Sequence, residues 1–471
     1  MTHSIEADYV VIGAGAMGMA FTDTLLTETT STIAIVDRYH QPGGHWTTAY
    51  PFVRLHQPSS FYGVNSRALG SEHIDTTGWN AGLYELATSG EVCAYFDQVL
   101  NQQFLPSGRV QYFPMCEYTG DGQVRALPSG ALHSVHAHRR LVDATYMRVT
   151  VPSMRKPSFP VAEGVACVPL NDLVRQRASY ANYTVIGAGK TGMDACLWLL
   201  RVGVDPAAIR WIMPRDSWLL DRARIQPGPQ FVPQILEGMA GQSRAIFEAT
   251  SVDDLFDRLQ ACGQLQRLTD AHRPSMYKCA TVTRLEVEQL RRIADVVRMG
   301  HVTRIEPATL VLDAGSLPAK PNTLYVDCTA DGLERRPAVP VFSDGHITLQ
   351  SVRTCQQVFS AAFIAHVEAA YADDATRNEL CMPVPHPDSD LDFLHTSLAN
   401  ARNDLRWAED AGLQRWMAAA RLQLFRNLMP PADAAQNTDP VARAAHLETR
   451  RAGDARVRAK LEALLAQAVP R

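Results

Sequence analysis

Residues Tyr9–Phe21 read YVVIGAGAMGMAF, and Tyr183–Ala195 read YTVIGAGKTGMDA. In each, a short apolar β-type run ends directly in a Gly-x-Gly-x-x-Gly turn and continues into a helix-compatible stretch. The first glycine (Gly13, Gly187) permits a tight turn, and the second (Gly15, Gly189) lets backbone approach a pyrophosphate. The third (Gly18, Gly192) lets the helix pack closely on its strand. The helix start, with Ala16 and Met17 in one turn and Lys190 and Thr191 in the other, offers unpaired N–H groups to phosphate oxygens. The chain therefore predicts two dinucleotide cradles on an α/β framework.

The two turns lead to different second strands. The first unit continues into TIAIVD, a strand ending in Asp37, with Arg38 next to it. A carboxylate there can accept hydrogen bonds from an adenosine ribose. The second unit continues into IRWIMP and then Arg215. An arginine at this place suits a ribose phosphate, which a carboxylate would repel, so the second cradle favours NADP over NAD. Arg222 and Arg224 are close enough in sequence to assist. An N-terminal, acid-bearing cradle of the first kind serves the adenosine half of FAD, which makes FAD and NADPH the expected pair.

Beyond Asp37 comes RYHQPGGHWTTAYPFVRLHQPSSFYGV. Gly43, Gly44 and Trp46, then Tyr50, Pro51, Arg54, Ser59 and Tyr62, resemble the G-G-x-W and Y-P-x-x-R-x-x-x-x-S-x-x-Y segments of flavin-containing and Baeyer–Villiger monooxygenases. The resemblance covers residues 1–70 and 180–225, and more loosely 325–365. It departs from the Baeyer–Villiger pattern at His56, where that pattern has aspartate, and at VACVPLN, where Asn171 stands at a histidine position. Gln57 lies near an asparagine of the flavin-containing enzymes, and Cys328-Thr329-Ala330 replaces their A-T-G. The resemblance implies two Rossmann-like, three-layer domains. A flavin domain (1–165 and 326–391) is interrupted by an NADPH domain (166–325), which carries a helical insertion at about 216–300. A helical, alanine- and arginine-rich extension (392–471) would cap the protein or join subunits into a homo-oligomer.

The same resemblance implies an NADPH-dependent FAD monooxygenase. NADPH reduces the flavin, dioxygen forms a peroxy- or hydroperoxyflavin, and a small molecule is oxidised at nitrogen, sulfur or a carbonyl. His45 and Trp46 would line the cofactor, and Gln350 and Ser351, ahead of a helix near the flavin, would contact it. Arg54, His56 and Gln57 would control the proton of the oxygenated flavin, His56 because imidazole ordinarily titrates near pH 6.5. An alternative is a reductase or dehydrogenase that passes electrons to a carbonyl, imine or quinone. Another is a non-catalytic FAD-binding protein.

Composition narrows the partners. A formal net charge of −4 offers nothing general to nucleic acid or anionic membranes. No apolar run approaches the roughly 18–20 residues of a spanning helix, and MTHSIEADYVV has no signal-peptide pattern. The nine cysteines form no C-x-x-C pair; the expectation is reduced structural thiols, no metal, and a cytoplasmic protein. SVDDLFDRLQACGQLQ and VTRLEVEQLRRIADVVRMG have the apolar spacing of amphipathic helices. RPSMYKCATVT between them reads as a loop, with Tyr277 and Lys278 able to face nicotinamide or substrate.

Overall fold

In the computed structural model, residues 4–147, 150–330, 336–424, 426–429 and 440–468 are described. Two sheets, each with a parallel core built around one glycine turn, organise them; the first also carries antiparallel strands Cys116–Gly120, Gln123–Ala126 and Phe342–Ser343. In the first, strand Ser4–Ile12 lies between Ile33–Val36 and Leu132–Asp143, parallel to both. Val110–Phe113 continues one side and His346–Thr348 the other, both in parallel register. The last strand comes only after all the strands of the second sheet have passed, so this unit is discontinuous in the chain. Helices Ala16–Glu28 and Gln357–Ala370 pack together beside it. Both are apolar nearly all round, with Phe21, Leu25, Phe359 and Phe363 fully buried, because each is covered on more than one side.

The second sheet has the order Asp295–Val297, Ile209–Ile212, Asn182–Ile186, Thr323–Asp327, Cys167–Pro169, all parallel. Strand Asn182–Ile186 sits inside the sheet and feeds the glycine turn and helix Lys190–Arg201. That position next to the reversal of strand order is where an open α/β sheet leaves a crevice at the carboxyl ends of its strands.

The insertion is helical over Val232–Glu248 and Val252–Ala261. It also holds a small sheet in which Ser217–Asp221 pairs with Leu265–Gln266 and Met276–Val282. The RPSMYKCATVT segment is thus largely a strand, not a loop. VTRLEVEQLRRIADVVRMG likewise divides: helix Arg284–Leu290 ends early, and Asp295–Val297 becomes the edge strand of the nucleotide sheet. The tail forms helices Asp390–Glu409, Ala411–Ala419 and Pro440–Gln467. No helix among the described residues is long and apolar enough to cross a membrane.

One cysteine expectation is overturned. Cys279 and Cys355 are joined in a disulfide, while Cys93, Cys116, Cys167, Cys196, Cys262, Cys328 and Cys381 are free. Pairing needs two segments that only the tertiary fold brings together, so no local spacing announces it.

Candidate functional site

At the first turn, Gly13 holds φ 104°, a value that L side chains rarely adopt. Helix Ala16–Glu28 starts at Gly15 with no side-chain cap, which leaves its first N–H groups for an anion. Asp37 is buried at the end of its strand and accepts from the backbone N–H groups of Ala14 and Tyr39. Burial nevertheless raises its pKa, outweighing those two bonds. Arg38 is exposed beside the Tyr39 ring. Gly43 and Gly44 bring a second stretch of backbone onto this turn: Gly43 N–H donates to Ala14 O at 2.9 Å. A Cβ on Gly44 would stand 2.8 Å from the Gly15 Cα. His45 and Trp46 come next in a 3-10 turn, with the Trp46 indole donating to Tyr62 Oη at 2.6 Å. Loss of solvent lowers the His45 pKa to about 4.

The second turn repeats the device. Gly187 holds φ 129°, and a Cβ there would meet Cys328 O at 2.6 Å. Helix Lys190–Arg201 starts at Gly189 without a side-chain cap, and open space lies above Gly189. Both cradles therefore fit a pyrophosphate, and Gly189 is the more open of the two. Gly192 packs against the Gly187 carbonyl, whose oxygen accepts from the Trp211 indole at 2.8 Å.

A polar network joins the two units. Tyr50, from the segment after Trp46, donates to Asp194 Oδ2 at 2.6 Å. Lys190 pairs with the other oxygen of the same carboxylate, one helical turn away. Asn171 donates to Thr48 O at 2.8 Å, a further contact between the units. Burial pushes the Tyr50 phenol well up, aided by the Asp194 charge.

His56 departs from the sequence expectation. Burial, then the charges of Lys190 and Arg222, hold its pKa well below the ordinary imidazole value. It is a neutral ring near pH 7, not a group exchanging its proton there. Arg54 is exposed and donates to Leu86 O at 3.1 Å, while Gln57 is half-buried next to His56 in sequence. Gln350 engages the Val339 backbone with both ends of its amide, its oxygen accepting from Val339 N–H at 3.2 Å and its nitrogen donating to Val339 O at 2.8 Å. Ser351 differs: its hydroxyl is buried and has no partner. An orphaned donor at the entry to helix Gln357–Ala370 is a fit for a bound acceptor.

Arg215 stands after strand Ile209–Ile212 and donates to both oxygens of Asp388 at 3.0 Å. Lys278 pairs with the same Asp388 at 3.0 Å, so two cations share one carboxylate. Tyr277, by contrast, is core, packed edge-on against Phe393. Arg222 and Arg224 do not assist Arg215. Arg222 is 1% exposed and is held by His56 O, Asn80, Thr281 O and Glu286. Arg224 donates to Gln234 O and pairs with Glu237. The roles of Lys278 and Arg222 are invisible to spacing, because their partners come from distant segments. A surface cavity of about 710 Å³ is lined by Glu163, Tyr180, Lys320 and Tyr325. It opens at the start of strand Thr323–Asp327, the end away from the glycine turns. No group of three metal-ligating side chains occurs among the described residues.

No family model matches the chain. Uncharacterized proteins of Mycobacterium tuberculosis (strain ATCC 25618 / H37Rv) and Mycobacterium bovis are 62% identical to it over 428 residues, covering 91% of this chain and 79% of theirs. The chain belongs to their family. Among solved structures it is similar to a flavin monooxygenase from Stenotrophomonas maltophilia, 16% identical, covering 78% of this chain and 100% of that one, TM-score 0.43. An oxidized steroid monooxygenase bound to NADP is 12% identical, covering 96% and 98%, TM-score 0.49. The bacillithiol disulfide reductase of Bacillus cereus is 14% identical, covering 78% and 99%, TM-score 0.44. The residues of this chain, not these distant likenesses, carry the functional reading.

Proposed function

We propose that this protein is an FAD- and NADPH-dependent oxidoreductase that oxygenates a small molecule with dioxygen. The observation that carries the reading is the pairing of two uncapped glycine-turn helices in units fastened by Tyr50, Asp194 and Lys190. FAD would be held by Gly13, Gly15, the Gly43–Gly44 backbone, Asp37 and the Ser351 hydroxyl. NADPH would be held by the Gly189 turn, with Arg215 and Lys278 on its ribose phosphate once Asp388 gives way. When bound, the flavin supplies hydride acceptance and oxygen activation, and this chain supplies orientation, dryness and proton control.

Dryness comes from the apolar surroundings of Trp46, Tyr50 and Leu55, all buried. Proton control falls to groups fixed in one protonation state at neutral pH. The Tyr50 phenol stays protonated and Asp194 takes its hydrogen bond; His56 stays neutral and can donate or accept without adding charge. Lys190 is the cation paired with Asp194, and nucleotide phosphates entering at the Gly189 turn would compete with that carboxylate for it.

Anaerobic titration of the FAD-loaded protein with NADPH and with NADH tests the reading. Bleaching of the yellow colour by NADPH at lower concentration than NADH is expected. After air is admitted, oxygen uptake coupled to oxidation of added amines, thioethers or ketones marks a monooxygenase. Reoxidation by a quinone or imine with no oxygen incorporated would assign a reductase instead. Failure of NADPH to bleach the flavin would remove both readings.

A further inference from the structure

The Cys279–Cys355 bridge joins residues whose Cα atoms are 6.7 Å apart and which lie 76 positions apart in sequence. Cys279 belongs to strand Met276–Val282 of the insertion, and Cys355 lies just ahead of helix Gln357–Ala370 in the first unit. The bond is therefore a covalent strap between the insertion and the flavin-cradle unit. Both ends are half-buried, neither sealed in the core. Both also hold left-handed backbone, φ 54° and 59°, which disfavours an L side chain unless the surroundings enforce it. His386 Nδ1 stands 3.9 Å from Cys355 Sγ. Lys278, next to Cys279, shares Asp388 with Arg215, so the surroundings carry a net positive charge that favours a thiolate. Burial and Lys278 keep His386 neutral, able to donate a hydrogen bond to sulfur without itself being charged. The buried thiols Cys196, Cys328 and Cys381 are held well above their ordinary pKa and are poor nucleophiles.

We propose that Cys279–Cys355 is a reversible thiol–disulfide exchange site, opened by a small-molecule or protein dithiol, whose opening releases the insertion from the first unit. The thiolate of the dithiol attacks Cys279 Sγ, the S–S bond breaks, and the electron pair leaves on Cys355 Sγ beside His386. The second thiol of the reductant then attacks its own bonded sulfur and frees Cys279. Two electrons and two protons pass to the pair, and the reductant leaves as its disulfide. None of these steps uses flavin or nicotinamide.

The test equilibrates the full chain with reduced and oxidised dithiothreitol in varied ratio, quenches it, alkylates with iodoacetamide and maps the labels by mass spectrometry. Cys279 and Cys355 should gain one label each, together, in a single two-electron transition, and lose both when oxidant is restored. Cys196, Cys328 and Cys381 should stay unlabelled throughout, which shows that the protein remains folded. Limited proteolysis should cut within residues 216–300 faster after reduction. Labelling of the pair in untreated protein would show that the bridge does not form. Labelling only after denaturant is added would make it a fixed structural bond, and unchanged proteolysis on reduction would remove the release. The wild-type chain suffices, so no outcome depends on a variant folding.

Discussion

A methyl group added at Gly18 or Gly192 would run into the carbonyl oxygen of the glycine that opens the same turn, Gly13 or Gly187. Backbone cannot yield there without separating helix from strand. Gly18→Ala and Gly192→Ala should each lose about 1–3 kcal/mol of stability, read from urea midpoints. Gly189→Ala is the contrasting case. Nothing lies near its Cβ, and its backbone, φ −74°, is open to any residue. The expected outcome is an unchanged urea midpoint with a large loss of NADPH affinity, because the methyl occupies the space a phosphate would enter; equal affinity would move the nucleotide site elsewhere. Arg215→Ala tests the other end of that nucleotide. Losing one charge-assisted fork should raise the NADPH dissociation constant roughly tenfold, an effect of about 1.4 kcal/mol, and leave NADH unchanged.

Helix Arg284–Leu290 begins with a reciprocal cap. Thr283 Oγ1 accepts from Glu286 N–H at 3.0 Å, and Glu286 accepts from Thr283 N–H at 2.7 Å. The Thr283 hydroxyl also donates to Trp79 O at 2.7 Å. Thr283→Ala should therefore cost about 1 kcal/mol or somewhat more, measured by equilibrium unfolding. The start of this helix is legible in the sequence, since T-x-x-E is a local signal; its end is not. Val287, Leu290 and Ile293 keep helical spacing into the region where Asp295–Val297 pairs with Arg210–Ile212, a contact that no local pattern encodes. The two glycine units are readable for the opposite reason: strand, turn and helix are contiguous, and each glycine has its own steric task. Met276–Val282 escapes reading as a strand because its partner, Ser217–Asp221, lies far back in the chain. At the site, the residue types around His56 are visible in the sequence, but the depression of its pKa is not. Lys190 and Arg222 reach it only through the fold.

Across the whole molecule, Arg222 is the clamp between units. Its guanidinium reaches His56 O of the flavin-side segment, Asn80, Thr281 O of the insertion, and Glu286 at 3.0 Å. Arg222→Met should cost about 3–5 kcal/mol, since it strands buried acceptors and an unpaired carboxylate. The same packing keeps His45, His56 and His386 neutral, with His45 and His386 lowered to about 4 and His56 pushed well down. An unfolded chain protonates these rings near pH 6.5, whereas the folded one does not, so below that pH the unfolded state holds more protons. Their contribution is fully present above pH 6.5 and is lost as pH falls, by at most about 1.4 kcal/mol per ring per pH unit. Asp23 and Asp37, raised by burial, act in the opposite sense from the ordinary carboxylate range upward. The urea midpoint should decline steadily from about pH 7.5 to about 5.5, the span around the ordinary imidazole value, and His386→Asn should make that decline shallower by removing one ring from the sum. A midpoint that stays level over this range would show that these rings are not held neutral by the fold, and the same slope in His386→Asn as in the parent would show it for His386.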